Sequence, residues 1–396
     1  MPSDSGIAKA PLSFVPLSEP VLAGNEWNYV KECLDTGWVS SVGPFVDRFE
    51  REVAAYSGAA YGVAVVNGTA ALHLALLAVG VRPGDEVLVS DLTFVAPVNA
   101  IRYCGAHPVF MDADPDSWQM DADKVERFLA SECEHRNGDC VNRTSGRRVS
   151  AIVPVHILGM ACEIDRIAAA GTAHGVRVVE DATEALGVRY DGRHVGTFGD
   201  VGAFSFNGNK IITTGGGGVV VTNDQACAER VRYLSTQAKD DPIEYVHRAV
   251  GYNYRLTNVL AAIGVAQMEQ LDGFIRRKRE IAMAYSAGVR KLTGVVAMPQ
   301  QPRVESNHWL YTVLLEPAPG LVARQSVVRG LNAQGIGARP LWHTIHDLPP
   351  FVDCQAFEIE HSVRLYEQAV SLPSGAGLAD ADVVRTLNAL AQVVAS

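Results

Sequence analysis

Lys210 stands in the run Ser205-Phe206-Asn207-Gly208-Asn209-Lys210-Ile211-Ile212-Thr213-Thr214, followed by four glycines at 215–218. Apolar, strand-like stretches lead into this run (201–206) and out of it (219–221). The chain has seven lysines, and the other six (Lys9, Lys31, Lys124, Lys239, Lys278, Lys291) fall in polar or helical, surface-like stretches. An amine in a partly dry site has a lowered pKa and forms Schiff bases with carbonyls. Glycines let a cofactor or another backbone approach closely. On this segment alone, a lysine in a flexible loop competes evenly with a catalytic one.

Four further segments make sense beside it. Asn67-Gly68-Thr69 follows one strand-like run and opens a helical one. Free backbone N–H groups, a hydroxyl and the helix dipole together make a phosphate site. A simple N-cap is the plainer reading. Val178-Val179-Glu180-Asp181 puts two acids at the end of an apolar strand, where sites in open α/β sheets collect. A buried carboxylate there pairs with a cation, and a protonated pyridine nitrogen is one such group. Asp181, just past the apolar run, is favoured over Glu180; two acids capping the next helix is the alternative. Phe94, in Asp91-Leu92-Thr93-Phe94, is either a platform for a planar ring or a core residue. In Gly251-Tyr252-Asn253-Tyr254-Arg255, Arg255 suits an anion and Asn253 a phosphate, unless the segment is only a junction loop.

The elements that must position these residues alternate. Strand candidates are 62–66, 86–90, 107–112, 150–156, 176–180, 201–206 and 218–222, several of them Val-rich without polar alternation. Helix candidates between them are 69–79, 95–103, 122–131, 164–174 and 225–236. This order predicts an α/β fold with a mostly parallel sheet covered on both faces. Residues 132–148 are polar and basic and read as a surface hairpin or loop insertion. After Tyr254 the texture changes: one long helix or two joined ones over 257–286, a strand over 308–315, a helix over 323–334 and a last helix after Asp380. The division predicted is a large α/β domain over 1–254 and a smaller α+β domain over 255–396.

Composition narrows the function. The 396 residues are 48% apolar and 20% charged, which suits a globular protein of roughly two domains. A net charge of −10 disfavours nucleic acid as a partner. The seven cysteines include no C-x-x-C pair, so neither a zinc ribbon nor a disulfide framework is indicated. No metal site is expected: Asp112-x-Asp114-x-Asp116 lacks the glycine of a calcium loop. His343-Thr344-Ile345-His346 reads as a turn with exposed histidines. With no signal peptide or membrane-spanning stretch apparent, a cytoplasmic location is expected. The glycines at 215–218 lead into a strand, and no dinucleotide fingerprint follows the first strand.

Together these motifs resemble the DegT/DnrJ/EryC1/StrS family of pyridoxal phosphate-dependent sugar aminotransferases. The resemblance runs from Trp38-Val39-Ser40-Ser41-Val42-Gly43 through Asn67-Gly68-Thr69, Glu180-Asp181-Ala182 and Gly199-Asp200-Val201-Gly202 to Asn253-Tyr254-Arg255. Within the family, the lysine run is similar to the bacillosamine and legionaminic acid branch, and the insertion over 140–148 to its LegC-like members. The resemblance implies a fold-type I transferase with a seven-stranded sheet, working as a homodimer with shared sites. It implies that Lys210 carries the cofactor and shuttles protons, and that Asp181 pairs with the ring nitrogen. Gly68, Thr69 and Ser205 would hold the phosphate, with Asn253 reaching in from the other subunit. Phe94 would stack on the ring. Glu184 stands where Gln is common, near the ring hydroxyl, and Asn207 replaces a commoner His. Ser40, His156, Arg255, His308 and Trp309 would lie towards the sugar. L-Glutamate would convert the cofactor to pyridoxamine phosphate, which would aminate C4 of a UDP-linked 2-acetamido-4-keto-6-deoxy sugar. The alternatives are a GDP- or dTDP-linked 4-keto or 3-keto sugar, or a non-catalytic cofactor-binding regulator. Family dehydratases carry His in place of the lysine, so Lys210 speaks against that chemistry.

Overall fold

Short runs of β-branched residues separated by helices leave the chain one economical arrangement, a sheet buried on both faces. The computed structural model describes residues 14–241, 243–316 and 320–395. Its main sheet is built from β1 (Tyr61–Val65), β2 (Glu86–Ser90), β3 (His107–Met111), β4 (Val149–Val153), β5 (Arg177–Asp181), β6 (Val201–Ser205) and β7 (Gly218–Thr222). The spatial order is β1-β7-β6-β5-β4-β2-β3. Only β7 runs against the others. The fourth strand ends at Val153, earlier than the apolar run suggests, because Pro154 has no N–H to continue the ladder. Pairing then resumes only as an isolated bridge between Val155 and Asp181.

Alternate residues of each strand enter opposite cores. Val63, Val65, Val87, Val89, Val179 and Val220 pack with Leu72 and Leu76 of the helix Gly68–Ala78. Ala64, Leu88, Val178, Phe204 and Val221 pack with Phe49, Val53, Phe128 and Ile167 on the other face. Burying strands on both sides is what favours β-branched residues without polar alternation.

Several expectations change in detail. An eighth, two-residue strand, Ala356–Phe357, joins the sheet beside β3, drawn from the far end of the sequence. The helix expected over 122–131 is α-helical over Ala122–Arg127 and closes with a π-helical turn, Phe128–Glu132. The 132–148 insertion contains a hairpin, Cys133–Arg136 against Asp139–Asn142. The 257–286 segment forms two helices, Asn258–Met268 and Leu271–Val289. The first of these packs its Ala261, Ala262 and Val265 into the large-sheet core. A second, antiparallel sheet has the order Val295–Ala297, Tyr311–Leu315, Ala369–Leu372, Arg339–Pro340. Its central strand starts at Tyr311, not 308, because His308 is left-handed at φ +47° and cannot lie in a strand.

The lysines also separate. Lys9 lies outside the described residues. Lys124 is buried and paired with Asp112 at 2.6 Å, and Lys278 is buried with its ammonium on the carbonyls of Trp309 and Ser374. Both were expected on the surface. The His343–His346 turn is also not wholly exposed, because His346 is half-buried and donates to Asp91 at 2.9 Å.

The glycine run matters for the backbone. A Cβ on Gly218 would sit 2.5 Å from the carbonyl oxygen of Asn67, so β7 approaches the start of the helix Gly68–Ala78 only as glycine. Gly215 takes φ +82° at the turn. Gly218→Ala is expected to cost about 1–3 kcal/mol of stability, as overpacking does. Thermal and denaturant unfolding of the cofactor-free protein checks this; an unchanged midpoint would contradict the close approach.

Candidate active site

The C-terminal ends of β5 and β6 deliver Asp181 and Ser205 to one cavity of about 690 Å³. Gly68, Thr69, Phe94, Glu184, Asn207 and Lys210 also line it, so eight of the residues singled out by motif meet at one place. The far wall comes from the C-terminal third: Trp309, Arg339 and Trp342. Arg339 and Trp342 carry no local motif; only tertiary folding brings them here.

One end of the cavity is a helix N-terminus. Asn67 caps the helix by accepting the Ala70 N–H at 2.8 Å, so both the plain N-cap and the anion-site readings of this turn describe real geometry. The cap leaves the amides of Gly68 and Thr69 outside the intrahelical ladder. A Cβ on Gly68 would meet Ser205 Cβ at 2.8 Å and its Oγ at 3.0 Å, so glycine keeps the Ser205 hydroxyl against these amides. Free amides, two hydroxyls and a helix dipole suit a phosphate.

The acid pair at the end of β5 divides its work. Glu180 is fully buried and faces inward, accepting from the amides of Gly196, Phe198 and Gly199, each at 2.6 Å. His156 Nδ1 accepts the Cys162 N–H at 3.1 Å, so Nε2 carries the proton and donates to Glu180 at 3.0 Å. This network fixes the strand end. Asp181 faces the cavity; its Oδ1 accepts the Thr183 amide at 3.0 Å. Burial raises its pKa, and no lysine, arginine or histidine forms an ion pair with it among the described residues. A buried acid facing a cavity with no ion-pair partner in contact fits a cofactor that supplies a cation, such as a protonated pyridine ring.

Lys210 enters from a turn in which its N–H donates to the Asn207 carbonyl at 3.0 Å. Its side chain is only 13% exposed. The ammonium lies 3.6 Å from Glu184 Oε1 and 4.3 Å from the centroid of the Trp309 ring. Trp309 is itself fixed: Nε1 donates to the Asn209 carbonyl at 2.7 Å, and its ring is parallel to Trp342. Phe94, 55% exposed, stands on the cavity wall.

Four residues expected in the cavity are elsewhere, while Asn253 is expected from the other subunit. His156 is wholly buried beneath the site, in the Glu180 network, and cannot meet a sugar. Arg255 turns inward to Glu50 and the Ala64 carbonyl at 2.9 Å, so it is not a cavity anion site. His308 sits behind Trp309; burial pulls its pKa down to about 4 and keeps it neutral. Ser40 is exposed away from the cavity, its carbonyl accepting the Asn258 N–H. Asn253 is exposed on the strand-like bridge to Thr236, also outside the cavity. Glu50 additionally binds Arg232 and the Ala64 amide. Arg255→Gln is therefore expected to lose about 3 kcal/mol of stability, as opening a buried ion pair does, with little change in substrate KM. A large KM rise in a variant of normal stability would contradict this.

Comparison with known proteins agrees with this geometry. Residues 20–391 match the model of the DegT/DnrJ/EryC1/StrS aminotransferase family. The chain is 40% identical over 383 residues to a GDP-perosamine synthase of Caulobacter vibrioides, covering 96% of this chain and 98% of that one. It is 38% identical to a GDP-perosamine synthase of Escherichia coli O157:H7, covering 94% and 96%. Its fold superposes on the aminotransferase TlmJ of Streptoalloteichus hindustanus with a TM-score of 0.87 at 30% identity, covering 96% and 99%. The fold is that of fold-type I transferases, and the chain belongs to the DegT/DnrJ/EryC1/StrS family as a pyridoxal phosphate-dependent sugar aminotransferase.

Proposed function

We propose that the chain transfers the amino group of L-glutamate to C4 of a GDP-linked 4-keto-6-deoxy sugar, giving a GDP-4-amino-4,6-dideoxy sugar. The observation that carries the chemistry is the convergence of Lys210, Asp181 and the Gly68–Thr69 helix start on one cavity. The choice of GDP rests on the relatives named GDP-perosamine synthases. The UDP-linked, legionaminic-type branch expected from the lysine run and the 140–148 insertion finds no support among those names. It is set aside for the GDP alternative.

In this reading Gly68, Thr69 and Ser205 hold the cofactor phosphate, and Phe94 and Asn207 flank its ring. Asp181 serves the ring nitrogen, whose positive charge compensates a carboxylate that burial otherwise penalises. Glu184 lies on the side of the ring hydroxyl. When bound, pyridoxal phosphate supplies an electron sink for a carbanion at the amine-bearing carbon. Lys210 Nζ takes the proton from the α-carbon of glutamate in the first half-reaction. In the second it moves the corresponding proton at sugar C4. The cavity walls of Trp309, Trp342 and Leu310 exclude water from that proton transfer.

A homodimer with shared sites belongs to the same reading. Trp38, Val42, Phe94 and Val250 leave large apolar surface exposed on the single chain, which a second copy would cover. Asn253, exposed and outside its own cavity, would reach the partner's phosphate site. A two-domain division and a cytoplasmic location are retained as part of the proposal, with the boundary moved past 254/255 because the helix Asn258–Met268 packs into the large-sheet core. Among the described residues, no helix is long and apolar enough to cross a membrane.

Two measurements test this function. Lys210→Ala is expected to fold normally and to lose turnover by at least about 10³-fold, in keeping with the loss of a general acid–base; near-normal turnover would remove the assignment. Enzyme loaded with pyridoxamine phosphate is expected to regain its visible absorbance with a GDP-4-keto-6-deoxy sugar and to release an aminated sugar by mass spectrometry. Its UDP-2-acetamido counterpart is expected to react far more slowly. The reverse order would restore the UDP branch.

A further inference from the structure

The amine of Lys210 has two built flanks, and one residue ties them together. On one side is the Glu184 carboxyl, with Oε1 at 3.6 Å from Nζ. On the other is the face of Trp309. Asn307, fully buried, donates from Nδ2 to the Glu184 carbonyl at 3.0 Å and the Leu186 carbonyl at 2.8 Å. Its Oδ1 accepts the Trp309 N–H at 2.8 Å. Both flanks are thus referenced to one side chain.

Glu184 receives a further anchor at the cost of backbone strain. Its Oε2 accepts the Leu158 N–H at 2.8 Å. Leu158 is completely buried and left-handed at φ +61°, a conformation that a branched residue adopts only when its surroundings enforce it. Gly159 follows at φ +78°, where a Cβ would fall 1.9 Å from Asn307 Oδ1. Strain of this kind gathers at functional sites, and here it aims one amide at one carboxyl oxygen. The arrangement pins Oε2 and leaves Oε1 to the lysine.

We propose that Glu184 is the proton partner of Lys210, taking a proton from its ammonium to leave a neutral amine and returning it when that amine must act as an acid. The inference rests on Lys210 being the acid–base of the proposed function. An N–H bond breaks and an O–H bond forms. No electrons change hands, and the pair stays neutral overall. The groups facing Glu184 are few. Lys210 comes from the 207–210 turn, Asp181 from the end of β5, and the Leu158 amide from the strained turn. Trp309 offers only an uncharged face, and Lys278 behind it is turned to the carbonyls of Trp309 and Ser374. Burial, with a smaller push from Asp181, raises the Glu184 pKa to about 7 against the pull of Lys210 and the Leu158 amide. Acid and base forms are then both populated near neutral pH, as a reversible partner requires.

Glu184→Gln is the discriminating variant, because its amide oxygen still accepts the Leu158 N–H but takes no proton. In the cofactor-free protein, infrared difference spectra across neutral pH are expected to show a protonated-carboxyl band that titrates near pH 7 and vanishes in Glu184→Gln. In the loaded enzyme, the single-turnover rate with glutamate is expected to fall below about pH 7, where both partners hold protons. In Glu184→Gln the limb near pH 7 should disappear, and turnover at neutral pH should drop at least about tenfold. A variant that keeps the acid limb and a rate within about twofold would overturn the inference, as would a missing infrared band. Either result leaves the Lys210 assignment standing, since that is decided separately by Lys210→Ala.

Discussion

A charged amine taken out of water loses hydration, and a protein keeps it there only by giving back charge, π density or hydrogen bonds. Lys210 meets this constraint with a carboxyl and an indole face. Neither flank is local in sequence. Glu184 comes from the loop after β5, and Trp309 from the segment leading into the second sheet, so both sheets must dock before the amine has its environment. Asn307 joins the two flanks, and Lys278 holds the Trp309 carbonyl from the helix Leu271–Val289. The two sheets are therefore coupled through the lysine's surroundings.

The same logic explains the phosphate end. A helix start makes an anion site only if its first amides stay free and nothing crowds them. Asn67 caps the helix from outside the cradle, Gly68 leaves room for Ser205, and Gly218 lets β7 lie against the Asn67 carbonyl. The glycine run beside Lys210 thus shapes the cradle through backbone approach, and its own residues do not line the cavity. The acids at the end of β5 are a matched pair: one satisfied in the interior to fix the strand, the other facing the cavity with no ion-pair partner in contact among the described residues.

Much of this was legible in the linear chain, for identifiable reasons. Doubly buried strands write themselves as Val-rich runs, so all seven were placed, and with them the ends that carry Asp181 and Ser205. The phosphate cradle was legible because cap, glycine and hydroxyl are adjacent. Residues whose partners are remote were not. Arg255 looks like a free anion receptor until Glu50, 205 positions away, is seen to occupy it. Lys278 reads as a surface residue of an amphipathic helix; its partners are backbone carbonyls, which have no signature in sequence. His156 is placed towards the sugar only by resemblance, but its ring lies in the interior between Glu180 and the Cys162 amide. Arg339 and Trp342 reach the cavity only through the second sheet. The insertion that suggested a branch folds as the hairpin Cys133–Arg136 against Asp139–Asn142, and none of it lines the cavity, so it carries no sign of a nucleotide.

The proposed function stands or falls on Lys210 carrying the cofactor in this cavity. Borohydride reduction of the pyridoxal phosphate-loaded enzyme, followed by digestion and mass spectrometry, tests it most directly. The reduced pyridoxyl group is expected on Lys210 alone. Finding it on another lysine, such as buried Lys278, or on none, would remove Lys210 from that role.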